Sequence, residues 1–294
     1  MNMKHQEGTL TTLDGARLFT QQWLPDDQAK AVIVIAHGLA EHSSRYAHVA
    51  RYLVQSGYAV YTFDQRGHGQ SRGDRLGYFE RFDLLSEDLR QYVELAQAEQ
   101  KSGPPFLLGH SMGSLLALYY AIRHQTALKG LVVSGSLLNA SEVANTTTRL
   151  LTRVLSAVAP QMGIAVIDSS TISKDQAVVR AYDLDPNNYR GKIRARVGAE
   201  LMAATAEVLD NLERITLPIL ILHGGSDRLV PPGSSRVVYK RVGSADKTLK
   251  IYDGLYHEIF NEPEKDRVLA DVLVWLETHR MASEPGTSTQ GGQR

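Results

Sequence analysis

The pentapeptide Gly109-His110-Ser111-Met112-Gly113 offers the clearest chemistry in the chain. It follows an apolar run at 106–108 (FLL) and precedes the helical run SLLALYYAI, so Ser111 sits on a sharp strand-to-helix turn, with glycines where side chains would leave no room. A hydroxyl is a poor nucleophile until a neighbouring base takes its proton, and that base needs an acid to fix its tautomer. On a turn of this kind the partners follow in the order acid, then histidine. Asp227 lies in the loop after the apolar run 218–222 (PILIL), and His257 lies in the loop after 247–252 (KTLKIY). Ser111, Asp227 and His257 are therefore expected to act as nucleophile, acid and base. If so, activity should rise with pH across the range in which an imidazole loses its proton, roughly 6 to 7.

Other titratable residues compete for these roles and fit them less well. His223 precedes the acid at its strand end and reads as a structural histidine; Asp253 is too close in sequence to His257 to face it readily. Asp64 reads as the brace of the turn 65–69 (QRGHG), and His110 as a packing residue of the elbow. His124 and His279 fall late in helices, where solvated positive charge is favoured. Acyl transfer also needs backbone N–H groups aimed at a developing oxyanion, from the residue after the nucleophile and from the loop after the third strand. Those are Met112 and Leu39, with Gly38 giving the second loop its freedom. His37 and His42 lie in that loop without clustered acidic ligands, so no metal site is expected.

Such residues must be held by a rigid frame. Short apolar runs at 31–36, 59–63, 106–108, 131–134 and 218–222 alternate with helical patterns at 114–124 and 264–279, which predicts an α/β fold with a mostly parallel sheet wrapped by helices. In the last helix Val268, Leu269, Val272, Leu273 and Leu276 form one apolar stripe. Segments 8–13 and 17–23, joined by Asp14-Gly15, predict an antiparallel hairpin with a two-residue turn at one sheet edge. The alternation stops between 139 and 209, predicting an inserted helical cap, with residues 1–138 and 210–280 forming the core. Leu150, Leu151, Val154, Leu155 and Val158 mark an amphipathic cap helix, expected either to pack on the core or to border an apolar substrate channel and touch lipid.

Composition narrows the function. The 294 residues carry 32 Lys plus Arg against 32 Asp plus Glu, which lacks the basic footprint of nucleic-acid binding. There is no cysteine, so disulfides, thiolate metal sites and thiol nucleophiles are excluded. No signal-like or membrane-spanning apolar run is present, so a cytoplasmic location is expected. The polar, Gly- and Ser-rich stretch 281–294 is expected to be a disordered tail.

The stretches HGLAEHSSRY, FDQRGHGQSRG, LGHSMGS, GGSDRLVPP and KIYDGLYHEIFNE, in that order and spacing, resemble the monoacylglycerol lipase family of α/β hydrolases, which shades into lysophospholipase-like serine hydrolases. The resemblance runs from the first hairpin to Thr278 and extends to the cap segments IDSSTIS and RAYDLDP. It implies cofactor-free cleavage of a monoacylglycerol ester to a fatty acid and glycerol, with Ser111, Asp227 and His257 as triad and Leu39 and Met112 as oxyanion donors. It further implies that Glu41, Arg45 and Tyr182 hold the glycerol end. The expected partner is a small lipid ester, with peripheral membrane or micelle contact through the cap. A lysophospholipase or general carboxylesterase is the alternative, and a non-catalytic hydrolase-like binding protein a more remote one.

Overall fold

The computed structural model describes residues 3–101, 103–138 and 146–280, without the side chains of 146–150. Eight strands form one sheet: β1 (Met3–Thr11), β2 (Arg17–Pro25), β3 (Val32–Ala36), β4 (Ala59–Phe63), β5 (Phe106–His110), β6 (Gly130–Ser134), β9 (Ile219–Gly224) and β10 (Lys247–Tyr252). Their order is β1-β2-β4-β3-β5-β6-β9-β10. The pairs β1–β2 and β2–β4 are antiparallel; all others are parallel.

Strand side chains alternate between faces, and this sheet is covered on both. Val32, Val34, Leu107, Leu131, Val133, Ile219 and Ile221 join one core cluster, together with α2 (Phe82–Gln100) and α3 (Met112–His124). Ile33, Ile35, Leu108, Val132, Leu220 and Leu222 join the other, with α1 (Ala47–Gln55) and α8 (Lys265–Arg280). Two buried faces explain why these strands read as unbroken apolar runs. In α8, Val268, Leu269, Val272 and Leu276 are buried, as the stripe predicts.

Two expectations need correction. The hairpin sits at the sheet edge, but pairing stops at Thr11 opposite Arg17, so its turn is the wider loop 12–16. Thr12 N–H donates to the Ala16 carbonyl and Asp14 is drawn outward to Arg66, placing Asp14-Gly15 inside that loop rather than making the whole turn. His279 is buried: its ring stacks on Trp275, with Nε2 2.9 Å from Asp246, so it is not a solvated terminal charge.

Between β6 and β9 run α4 (Thr146–Val158), β7 (Gly163–Ala165), α5 (Gln176–Leu184), β8 (Ile193–Arg194) and α6 (Ala195–Asn211); α7 (Gly233–Arg241) follows β9. β7 and β8 pair antiparallel as a small separate two-stranded sheet, with α5 in the connection between them. Residues 139–145 and the stretch 281–294 lie outside the described residues. Helix α6 faces two ways: Val197, Leu201, Ala204 and Val208 merge with the main core, while α4 packs on it from outside. Helix α4 turns Thr152 and Ser156 inward and leaves Leu151, Val154 and Val158 exposed, at 56%, 48% and 74%. Leu151, Val154 and Val158 therefore neither pack on the core nor border the cavity described below, while Leu155 is half-buried.

Candidate active site

Ser111 stands between β5 and α3 with φ 53° and ψ −116°, a backbone conformation that side chains rarely adopt. Neighbouring backbone holds it there. The Ser111 N–H donates to the Ser134 carbonyl at 2.8 Å, and the Ser111 carbonyl accepts from Ser114 and Leu115. A Cβ on Gly113 would overlap the Ala36 carbonyl, so the elbow approaches β3 more closely than any side chain permits.

His257 Nδ1 lies 2.7 Å from Asp227 Oδ2. A carboxylate only accepts, so Nδ1 carries the proton and leaves Nε2 of the neutral ring as the basic nitrogen. That Nε2 is buried and has no hydrogen-bond partner among the described residues. The other oxygen of Asp227 accepts from the Leu229 and Val230 amides at 2.8 and 2.9 Å. His223 Nε2 sits 3.0 Å from Asp227 Oδ2 and 2.9 Å from the Val230 carbonyl, and its Nδ1 faces the Ser235 hydroxyl at 2.7 Å. Burial opposes ionisation of Asp227, but the bonds from His223 and His257 outweigh it and hold the carboxyl well below its usual range. His110 stays neutral: burial first, then the neighbouring His257 ring, keep its pKa far down.

Ser111, His257, His110, Gly38, Leu39, Glu41, Tyr182 and Glu258 line one cavity of about 240 Å³, whose remaining wall is apolar. Asp227 stands behind His257, outside this lining. Met112 opens α3, so its amide is among the N–H groups that have no intrahelical acceptor.

The loop carrying Leu39 is fixed from several sides. Glu41 Oε1 accepts from the Gly38 amide at 2.6 Å and the Tyr46 hydroxyl at 2.8 Å. Arg45 donates to Glu41 Oε2 at 2.8 Å and reaches both oxygens of Glu258, at 2.6 and 2.7 Å. The Tyr182 hydroxyl donates to the Ala40 carbonyl, and Ala40 itself has φ 66°. Glu41 and Tyr182 reach the cavity, but Arg45 does not; its guanidinium is occupied by two carboxylates over the Tyr182 ring. The polar atoms expected to grip a glycerol thus also hold the loop that carries Leu39, with the Gly38 amide engaged by Glu41.

Several site residues escaped sequence reasoning. Glu258 adjoins His257 in the chain, but its pairing with Arg45 spans 213 positions. Gly135 has φ 59°, and a Cβ there would lie 2.9 Å from His257 Cε1, so glycine both permits the turn and leaves room for the ring. Glu262 is wholly buried and accepts from the Tyr256 amide on one side and from Ser173 Oγ and the Lys174 amide on the other. With the Glu258 amide donating to the Ile172 carbonyl, it stitches residues 172–174 to the histidine loop. Among the described residues no group of side chains is arranged to hold a metal ion.

A strained serine between strand and helix, sharing a cavity with a buried histidine backed by a carboxylate, on a mostly parallel sheet, defines a serine hydrolase of the α/β-hydrolase class. A family model described as "Serine aminopeptidase, S33" matches residues 27–264. A monoacylglycerol lipase of Mycolicibacterium smegmatis is 37% identical over 273 residues, 93% of this chain and 97% of that protein. The monoglyceride lipase of Homo sapiens is 35% identical over 270 residues, 91% and 89% of the two chains. The crystal structure of Paleococcus ferrophilus monoacylglycerol lipase superposes with a TM-score of 0.80 at 28% identity, covering 89% of this chain and 99% of that one. The chain belongs to the monoacylglycerol lipase family of α/β hydrolases, and it is a carboxylic ester hydrolase.

Proposed function

We propose that this enzyme hydrolyses monoacylglycerols to a free fatty acid and glycerol. The observation that carries the reading is a single cavity with Ser111 and His257 in it, an apolar wall, and a polar end formed by Glu41, Tyr182 and Glu258. Ser111 Oγ attacks the ester carbonyl as His257 Nε2 takes its proton, and the oxyanion forms against the Leu39 and Met112 amides. Collapse expels glycerol, protonated by His257, and leaves an acyl-enzyme. Water, deprotonated by the same histidine, then releases the fatty acid.

Charge at the polar end favours a neutral alcohol. Two carboxylates, Glu41 and Glu258, face one guanidinium, Arg45, whose contacts with them leave it no excess positive charge to offer. A phosphodiester headgroup would meet net negative charge there, as would the carboxylate product. Turnover should accordingly rank monoacylglycerols above lysophosphatidylcholine and above triacylglycerols of the same acyl chain. A higher kcat/KM on the lysophospholipid would overturn the reading, and equal rates on the methyl and glycerol esters would reduce the enzyme to a general carboxylesterase.

Contact with a lipid surface is the second part of the proposal. Leu151, Val154, Val158, Met162 and Val166 are exposed on consecutive cap elements, and none of them lines the cavity. No helix among the described residues is long and apolar enough to cross a membrane. Such a patch suits the boundary between headgroups and acyl chains. Each apolar side chain gains about 1.5–3 kcal/mol on full transfer out of water, so Leu151→Asp with Val158→Asp should weaken sedimentation with liposomes about tenfold or more. Hydrolysis of a short soluble ester should not change. Undiminished liposome binding, or equal loss of both properties, would remove the patch from the proposal.

A further inference from the structure

Helix α6 turns Gly198, Leu201 and Met202 toward the cavity, a spacing that puts all three on one helical face. Gly198 is the fourth residue of α6, with no positive φ, so no turn requires glycine there and in a helix alanine is the better choice. Space gives the reason for it. A Cβ at this position would lie 2.7 Å from Ile164 Cδ1, inside the roughly 3.5–4.0 Å at which carbon atoms pack. Its next neighbours, Thr152 Cγ2 and Ile164 Cγ1, are at 3.7 and 3.9 Å. Ile164 belongs to β7, beside the register irregularity between Gly163 and Ala165, and also lines the cavity. The missing side chain at Gly198 lets the tip of Ile164 lie back against α6.

From this geometry we infer that Gly198 and Ile164 together set the length of acyl chain the enzyme accepts. The pair lies in the apolar cap wall, and neither residue enters the Glu41–Arg45–Glu258 network that marks the alcohol end. A methyl group on α6 would push the Ile164 tip off the helix and into the space that a long chain needs. The inference rests on the reading that the apolar wall receives the acyl chain, and it is independent of whether the alcohol is glycerol.

Nitrophenyl esters graded from butanoyl to hexadecanoyl report the acyl side alone, so they separate the two questions. For Gly198→Ala, kcat/KM on the butanoyl ester should stay within about twofold of wild type and fall about tenfold on the hexadecanoyl ester, the range expected when one methylene is misplaced in an apolar pocket. Ile164→Val removes Cδ1, so the double variant Gly198→Ala with Ile164→Val should recover most of the long-chain rate. Ile164→Ala, which leaves the helix untouched, should by itself shift preference toward longer chains. A Gly198→Ala profile parallel to wild type, a uniform loss at every length, or strictly additive effects in the double variant would overturn the assignment. Should Gly198→Ala fail to fold, an unchanged profile for Ile164→Ala overturns it alone. A wild-type enzyme active on nitrophenyl esters but inert on glycerol esters would refute the proposed function and leave this inference standing.

Discussion

Ser111→Ala is expected to lower turnover at least about 10⁴-fold, the range seen when a triad member is removed, and to leave the fold intact. The bonds that hold the elbow are made by the Ser111 N–H and carbonyl, with the Ser114 hydroxyl adding a further bond to that carbonyl. Removal of the Ser111 hydroxyl breaks none of these bonds. Alanine would also inherit the same strained backbone, so the two proteins should unfold at similar temperatures. The residual activity expected after substitution is that of the proposed oxyanion donors, the Leu39 and Met112 amides, and of substrate binding. Steady-state turnover, a thermal melt and labelling by a fluorophosphonate probe check this together. Labelling that persists in the variant, or residual turnover within a hundredfold of wild type, would mean another nucleophile.

The second large effect concerns acid stability. Burial holds His37 down to about 4 and His68 down to about 3, against about 6.5 for a free imidazole. His37 shows how the neutral form is built in: Nε2 accepts from the Gln65 amide, so Nδ1 donates to the Gly38 carbonyl. His68 packs edge-on against His37, and its Nε2 has no partner among the described residues. Above about pH 6.5 neither the folded nor the unfolded chain protonates these rings, and their full contribution to stability is present. As the pH falls from about 6.5 toward 4 and then 3, the unfolded chain takes up protons that the folded chain refuses, and that contribution is lost. At about 1.4 kcal/mol for each tenfold change in proton affinity, the pair implies a loss of several kcal/mol. The unfolding temperature should be level between pH 8 and 7 and drop steeply below about 6.5. His68→Phe, which keeps a ring and removes the titration, should flatten part of that slope. A melting temperature constant down to pH 4 would contradict the prediction.

Much of the frame was legible because local signals agreed. Strand β5 and helix α3 flank two glycines and a serine, and each feature alone points to the same turn. Helix α2 is the contrary case. Phe82, Leu85, Leu89, Tyr92, Val93 and Ala96 form its buried side, but Arg81 caps it without a side-chain bond and Lys101 ends it in a left-handed conformation usually left to glycine. With both end signals missing, only its periodicity marks it. For α4 the periodicity marks an apolar side but leaves its environment open: a repeat cannot say whether that side meets protein, lipid or solvent. The clasp of Arg45 by Glu41 and Glu258 depends on the meeting of residues 213 positions apart, and nothing local encodes that. Gly135 and Gly198 were unreadable for a related reason, since a glycine kept for the space of a distant side chain looks like any other.

The Glu262 stitch bears on how this enzyme can be diversified. A cap is usually regarded as a module that can be exchanged to change substrate while the core keeps its chemistry. Here the core carboxylate that organises the amide next to His257 takes its remaining donors from the cap, and the Glu258 amide finds its acceptor there too. A transplanted cap lacking a hydroxyl at position 173 and a matching backbone at 172–174 would leave a wholly buried carboxylate short of donors beside the loop that carries His257. Cap and histidine loop therefore have to be inherited, or engineered, as one unit, although about eighty residues of chain separate them.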